Sequence, residues 1–267
     1  MKTFLKFFGS MRSGLFIILA LLIHCSSAEK DIRYGFGSWE ADQLGNHRAV
    51  LRVTKQADAV WVRIPWRRRD RNPEKKNIIL IDAKTNERIR NVYRVDISRE
   101  FGDLIFEPLT APGEVFVYYL PFVTSGSRSY PTVTYPEPEQ TADKAWLQKV
   151  GLTENAVSKT EWQRFPKAAL REFQSIDEFN SFHPMEIIAT AEEVDALLAR
   201  HPESATLLFP EDRAFPIRMT EDLPFRWIKR GVTHRFEGNA DRGEFYVFQI
   251  GVYAVKSDIA DIDVAFS

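Results

Sequence analysis

The chain has 267 residues and a formal net charge of −1, and 44% of its residues are hydrophobic. This composition excludes a disordered or collagen-like chain, and the balanced charge provides no overall basic field for nucleic acid. The length suits one large domain or two modest ones.

The first 28 residues have the pattern of a signal peptide. Three basic residues precede the apolar run 15–23, and small residues stand just before Glu29. We therefore predict a signal peptide over residues 1–28 and export to the periplasm, the outer membrane or the exterior. A retained membrane helix is the weaker alternative, because nine apolar residues fall short of the about 20 that span a bilayer.

Cys25 is the only cysteine in the sequence and lies at the edge of this segment. If cleavage occurs before Glu29, the exported chain has no thiol, which excludes disulfides and cysteine-based metal sites. The alternative is a lipoprotein signal that is cleaved just before Cys25. Such a signal prefers a small residue where His24 stands. We expect membrane attachment only if Cys25 is lipidated.

Residues 29–123 predict a β-sandwich. The segments 47–53 and 58–64 alternate apolar and polar residues, which is the period of a half-buried strand. Further strand-like segments follow, separated by turn residues at intervals of about 8–12 residues. These segments are 78–81, 89–95, 104–106 and 114–120.

Residues 124–235 predict an irregular, proline-rich connector with one or two short helices. Repeated prolines between residues 131 and 138 interrupt regular structure. We expect a helix over 142–150 that stops at Gly151. A second helix, over 191–200, opens with a capping box of Thr190 and Glu193. Short β segments are expected at 186–190, 207–209 and 217–219.

Residues 236–267 predict the start of a second, incomplete β region. The apolar segments 245–253 and 262–266 read as strands. Two strands do not form a stable sheet alone, and their edges need a cover. Either they join the earlier sandwich, or the chain is cut inside its next domain, and we favour the cut.

A set of distinctive segments runs through nearly all of the chain after residue 28. They are DAVW (58–61), IPWRRRD (64–70), APGE (111–114), VYY (117–119), FQSIDEF (173–179), FPEDR (209–213), RMT (218–220) and RGEF (242–245). As a set they resemble the N-terminal region of bacterial glycoside hydrolase family 123-like proteins.

The resemblance implies a larger enzyme in which a β-sandwich region precedes a (β/α)8 barrel that hydrolyses terminal β-linked N-acetylgalactosamine. It also implies substrate-assisted catalysis, in which the sugar's acetamido group attacks while an Asp–Glu pair of the barrel assists. Because the chain stops before the barrel begins, we assign no catalytic residue to it.

Three functions stay open. The first is support of a catalytic barrel that this chain lacks. The second is an autonomous exported carbohydrate-binding module for glycans containing N-acetylgalactosamine, with Trp66 as the exposed aromatic residue that stacks on the sugar. The third is a glycosidase that uses Asp177 or Glu178. Neighbouring side chains on a strand face opposite sides, which favours a structural role for this pair.

The remaining charged motifs indicate structure more than chemistry. We expect the basic loop 66–71 to pair with acidic residues of the same protein and not with nucleic acid, and we expect residues 211–213 to form a solvated turn. The histidines lack the spacing of metal ligands, and the sequence has no glycine-rich phosphate loop. We therefore predict neither a metal nor a cofactor.

Overall fold

The computed structural model describes residues 32–127, 129–152, 161–263 and 265. The predicted signal peptide and Cys25 lie outside these residues, as do Val264 and Phe266 of the predicted last strand. Within the described ranges, no helix has the length and apolar character needed to cross a membrane.

Strands dominate the described part of the chain, which confirms the predicted mainly β fold. The strands are β1 (Arg33–Phe36), β2 (His47–Val53), β3 (Val60–Ile64), β4 (Ile78–Asp82), β5 (Arg88–Ile89), β6 (Val92–Ile97), β7 (Gly102–Phe106), β8 (Gly113–Tyr119), β9 (Val123–Ser127), β10 (Tyr130–Thr134), β11 (Ala169–Ser175), β12 (Thr206–Asp212) and β13 (Phe248–Ala254). The helices are α1 (Lys144–Val150), α2 (Ala191–Ala199) and α3 (Phe225–Arg230), one more than the sequence predicted.

Two sheets enclose the main core. The larger sheet has the order β1-β11-β2-β8-β4-β5, and the smaller has the order β3-β7-β6. Leu51 of β2 and Val62 of β3 are fully buried in one core cluster that draws on both sheets. The predicted period-2 alternation therefore places one face of each strand between the sheets. Each fully buried side chain of this size contributes about 1.5–3 kcal/mol.

Strand β11 comes from the segment that we predicted as connector. It pairs in parallel with β1 and antiparallel with β2, and Phe173 on it is 1% exposed. The segment reads ALREFQS, and most of its residues are only partly buried or exposed. Such a polar strand carries little of the apolar alternation by which a strand is recognised from sequence.

Helix α1 covers the outer face of the smaller sheet. The Asp143 carboxylate accepts from the backbone N–H groups of Ala145 and Trp146 at its start, and Gly151 ends it with a φ of 70°. The Trp146 side chain is buried beside Ile105 of β7. The predicted helix and its stop are confirmed.

A second apolar cluster lies between α2, α3 and the antiparallel pair β12–β13. The rings of Phe209 and Trp227 stack with centroids 4.6 Å apart. Gly251 permits this approach, because a Cβ there would lie 2.2 Å from the Trp227 ring. The capping box of Thr190 and Glu193 opens α2 as predicted.

Three of the predicted β segments differ from the structure. Residues 186–190 and 217–219 are not strands, although Ile187 and Ile188 form isolated bridges. The described residues of 262–266 are also outside any strand. Their apolar side chains led to the prediction of strands. A strand, however, is defined by backbone hydrogen bonds to a neighbouring strand, and these segments have no such ladder among the described residues.

Strand β13 keeps an exposed apolar face. In the described residues it pairs with β12 and joins neither sheet of the sandwich. Ile250 is 44% exposed, and the neighbouring Phe245 is 96% exposed. The strand in 245–253 therefore does not complete the first sandwich.

Candidate functional site

A polar cavity of about 400 Å³ lies between two loops of the sandwich. One loop follows β3 and contains the arginine-rich segment 66–70, and the other follows β11 and contains residues 179–183. We call it the arginine cavity. The start of β2 and the residues around Glu186 and Arg218 complete its wall.

The basic loop (residues 66–71) is held against the turn between β6 and β7. The backbone N–H of Arg67 donates to the Glu100 carbonyl at 3.0 Å, and that of Arg68 donates to the Arg99 carbonyl at 2.8 Å. Arg67 itself adopts a left-handed φ of 47°, which is uncommon for a residue with a side chain. These contacts fix the direction in which the arginines leave the loop.

Trp66 is buried, so the prediction that it is the exposed aromatic residue is wrong. Its side chain is 5% exposed, stacks on Tyr119 at 5.4 Å and donates from Nε1 to the Ser98 carbonyl at 2.8 Å. Gly102 makes room for the indole, since a Cβ there would lie 2.1 Å from it. The ring serves the core and presents no free face to a sugar.

Arg68 and His47 form the inner wall of the cavity. Arg68 Nε donates to the Asp70 carboxylate at 2.8 Å, and its Nη1 lies 3.3 Å from His47 Nδ1. His47 Nε2 is 2.7 Å from the Asn180 carbonyl. An arginine only donates, so Nδ1 accepts and Nε2 carries the proton. This histidine is therefore a neutral ring with both nitrogens engaged.

The electrostatics agree with this arrangement. Burial, reinforced by the Arg68 charge, lowers the pKa of His47 to about 4. Burial by itself would raise the pKa of Asp70, but the facing Arg68 outweighs it and the pKa is lowered. At neutral pH the inner wall thus holds a neutral imidazole beside an ionised Arg68–Asp70 pair.

Two further arginines share one carboxylate at the outer wall. Arg69 lies 3.1 Å and Arg218 lies 3.4 Å from the Glu186 carboxylate. Arg69 Nη1 also donates to the Arg218 carbonyl at 3.2 Å. Both arginine side chains are close to half exposed, at 49% and 43%. Their N–H groups are therefore available to solvent and to a solute.

The loop after β11 is organised by Asp177. Its carboxylate accepts from the backbone N–H of Asn180 at 2.9 Å and from Asn180 Nδ2 at 2.7 Å. Neither Asp177 nor Glu178 is among the described residues that line the cavity. The turn places Phe179 at the lip of the cavity, where its ring is 95% exposed.

The basic loop pairs with acids of the same chain, as predicted. Arg67 binds Glu193 of α2 through two contacts of 2.7 and 2.9 Å. The other arginines of the loop pair with carboxylates as well: Arg68 with Asp70, Arg69 with Glu186, and Arg71 with Glu221. The loop is thereby tied to α2 and to the segment before α3.

Glu211 is a buried carboxylate, so the predicted solvated turn is wrong at this residue. It is 1% exposed, accepts from Trp227 Nε1 at 3.0 Å and lies 3.1 Å from Arg230 and 3.3 Å from Arg226. The prolines and charges around it suggested a surface turn, but β12 continues to Asp212 against α3.

The arginine cavity is equipped for recognition. It offers guanidinium donors, two carboxylate acceptors and one exposed ring, and the nitrogens of His47 are already engaged. In the described part of the chain, no three His, Cys, Asp or Glu side chains group as they would around a metal ion. Sequence reasoning missed Phe179, His47 and Arg218 as members of one site. The sequence signal that could have indicated the site is a phenylalanine, Phe179, within the otherwise polar run 177–181.

Comparison with known protein families gives a match. The family model described as "Glycoside hydrolase 123, N-terminal domain" matches residues 37–176, which include β2 to β11. Neither the curated proteins nor the solved structures contain a match.

Proposed function

Because the chain belongs to the glycoside hydrolase 123 N-terminal domain family, we propose that it supports the catalytic barrel of a β-N-acetylgalactosaminidase-type hydrolase. In this role the chain packs against the barrel through the exposed face of β13 and cleaves no glycosidic bond itself. The family match supports a non-catalytic N-terminal part of a glycoside hydrolase 123 protein, and the β-N-acetylgalactosaminidase type is the further step that we propose.

The exposed face of β13 is the observation that carries this proposal. Ile250 and Val252 are 44% and 39% exposed on a strand that pairs with one neighbour among the described residues. Two-stranded sheets are marginal in water, and exposed apolar strands are usually covered by another part of a protein. A folded domain packed on this face would remove these side chains from water.

The proposal is tested by mixing the purified chain with a separately expressed barrel domain of a family 123 hydrolase. We expect a complex in size-exclusion chromatography, and hydrolysis of an aryl β-N-acetylgalactosaminide only when the barrel is present. Ile250→Lys should abolish the complex. Val133→Lys is the matched control, because Val133 on β10 is 48% exposed and lies on a different sheet.

Two results would contradict the proposal. One is a complex that survives Ile250→Lys unchanged. The other is hydrolysis by the purified chain alone that disappears in Glu178→Gln, which would favour the glycosidase alternative. Asp177 organises a turn, so a substitution there would change the loop as well as the charge and is the poorer test.

The protein also acts outside the cytoplasm in this proposal. The pattern of residues 1–28 supports export, and Cys25 supports lipid anchoring as the alternative to a free N-terminus at Glu29. Mass spectrometry of the mature N-terminus decides between the two.

A further inference from the structure

We infer that the arginine cavity binds a saccharide that carries a negatively charged substituent, either a carboxylate or a sulfate. The inference concerns the cavity between two sandwich loops and the residues around Glu186 and Arg218, and it does not depend on whether a barrel packs against β13.

Charge is the first argument. Four arginines line the cavity, against the carboxylates of Asp70 and Glu186. Glu193, behind the wall, engages Arg67 through both of its oxygens. Asp177 offsets a further positive charge, because its carboxylate acts on His47 at the inner wall. At the opening, Arg69 and Arg218 share the single Glu186 carboxylate, so a positive charge remains in excess there and attracts an anion into the concave site. Guanidinium groups suit carboxylate and sulfate oxygens because their N–H groups form a planar fork.

Arg69 and Arg218, at the outer wall, have N–H donors that a ligand can reach. Arg218 reaches Glu186 only at 3.4 Å, and 43% of its side chain is exposed. Arg68, by contrast, is engaged by Asp70 and His47. A charged substituent is therefore expected to meet Arg218 and Arg69 near the opening and not Arg68 at the inner wall.

The exposed ring is the second argument. Phe179 is 95% exposed at the lip of a polar cavity, and the Asp177 turn holds its backbone in place. Covering a phenyl ring with an apolar surface removes it from water, which is favourable. A sugar ring offers such a surface on its C–H face while its edge carries hydroxyl groups, so it can cover Phe179 and still meet the polar wall.

The mixture of acceptors and donors selects a saccharide over a simple anion. The Glu186 carboxylate accepts hydrogen bonds, which sugar hydroxyls donate and a fully ionised phosphate does not. A nucleic acid would bring several phosphates toward Asp70 and Glu186 and would find one exposed ring on which to stack. The volume of about 400 Å³ is within the range of small-molecule sites and accommodates one or two sugar rings.

The test measures binding of three oligosaccharides to the full chain by isothermal titration calorimetry at low ionic strength. The first alternates glucuronic acid with N-acetylgalactosamine, the second is its sulfated counterpart, and the third is a neutral oligosaccharide that contains N-acetylgalactosamine. We expect at least one charged probe to bind about tenfold or more tightly than the neutral one. Equal affinity for the two charged probes assigns the carboxylate, and a preference for the second assigns the sulfate.

Matched variants locate the site. Phe179→Ala should raise the Kd of the charged probe about fivefold, whereas Phe245→Ala, which removes a ring that is 96% exposed elsewhere, should leave it unchanged. Arg218→Gln should remove most of the preference for the charged probe. Arg235→Gln is its control, since Arg235 also pairs with one glutamate but neither lines the cavity nor belongs to its loops.

Either of two outcomes would overturn the inference. In one, the neutral probe binds as tightly as the charged probes, or none of the three binds at millimolar concentration. In the other, the control variants weaken binding as much as Phe179→Ala and Arg218→Gln do. All four substitutions replace exposed side chains, so unchanged melting temperatures will separate loss of binding from loss of folding.

Discussion

Trp66 illustrates how a single residue depends on its surroundings. A tryptophan among arginines and after a proline looks solvent-exposed in sequence, because its neighbours are polar. In the structure the loop folds back so that the indole lies on Tyr119 and over Gly102. The ring is thereby buried, and its N–H donates a hydrogen bond to the Ser98 carbonyl. The exposed aromatic residue of this region is Phe179, more than a hundred positions later.

His47 makes stability depend on pH. The folded protein holds the pKa of His47 at about 4, whereas an unfolded chain has the ordinary value near 6.5. Between these values the unfolded state binds the extra proton, so stability falls as pH decreases from 6.5 to 4. The difference corresponds to about 3 kcal/mol across the window.

The check is thermal unfolding of the protein and of His47→Gln at several pH values. Glutamine keeps a donor and an acceptor but does not titrate, so the variant should lose less stability between pH 6.5 and 4. His234→Gln, at an exposed site, should follow the unsubstituted protein. Parallel curves for all three proteins would show that His47 does not cause the dependence.

At the scale of elements, Glu211 joins the end of β12 to α3. Its carboxylate meets Trp227, Arg226 and Arg230, which lie on one helix. Glu211→Gln should destabilise the fold by about 2 kcal/mol. This is less than a fully buried pair would lose, because the two arginines are about one-third exposed and water can solvate them.

Chemical denaturation measures this change. The surface pair of Arg235 and Glu237 provides the control, and Glu237→Gln should alter stability by less than about 0.5 kcal/mol. If both substitutions have the same small effect, the buried network does not hold α3 in place.

At the scale of the whole molecule, the chain combines a well-enclosed sandwich with an open face at β13. The isolated chain should therefore self-associate, because apolar strand faces and unpaired edges are sites of aggregation. Analytical ultracentrifugation should find a concentration-dependent increase in mass, and Ile250→Lys should reduce it. A monodisperse monomer at all concentrations would contradict this prediction.

The sequence by itself determined the mainly β character, the stop of α1 at Gly151, the capping box of α2 and the family. Each of these depends on local patterns, such as alternation along β2 or the pairing of Thr190 with Glu193, which tertiary contacts only reinforce. Tertiary structure decided that β11 completes the large sheet, that Trp66 and Glu211 are buried, and that His47, Phe179 and Arg218 surround one cavity. Those facts depend on which segments meet in the folded chain, whether 16 residues apart, as Glu211 and Trp227 are, or more than a hundred apart, as β2 and β11 are. A partner elsewhere in the chain leaves no periodic trace in the segment it contacts.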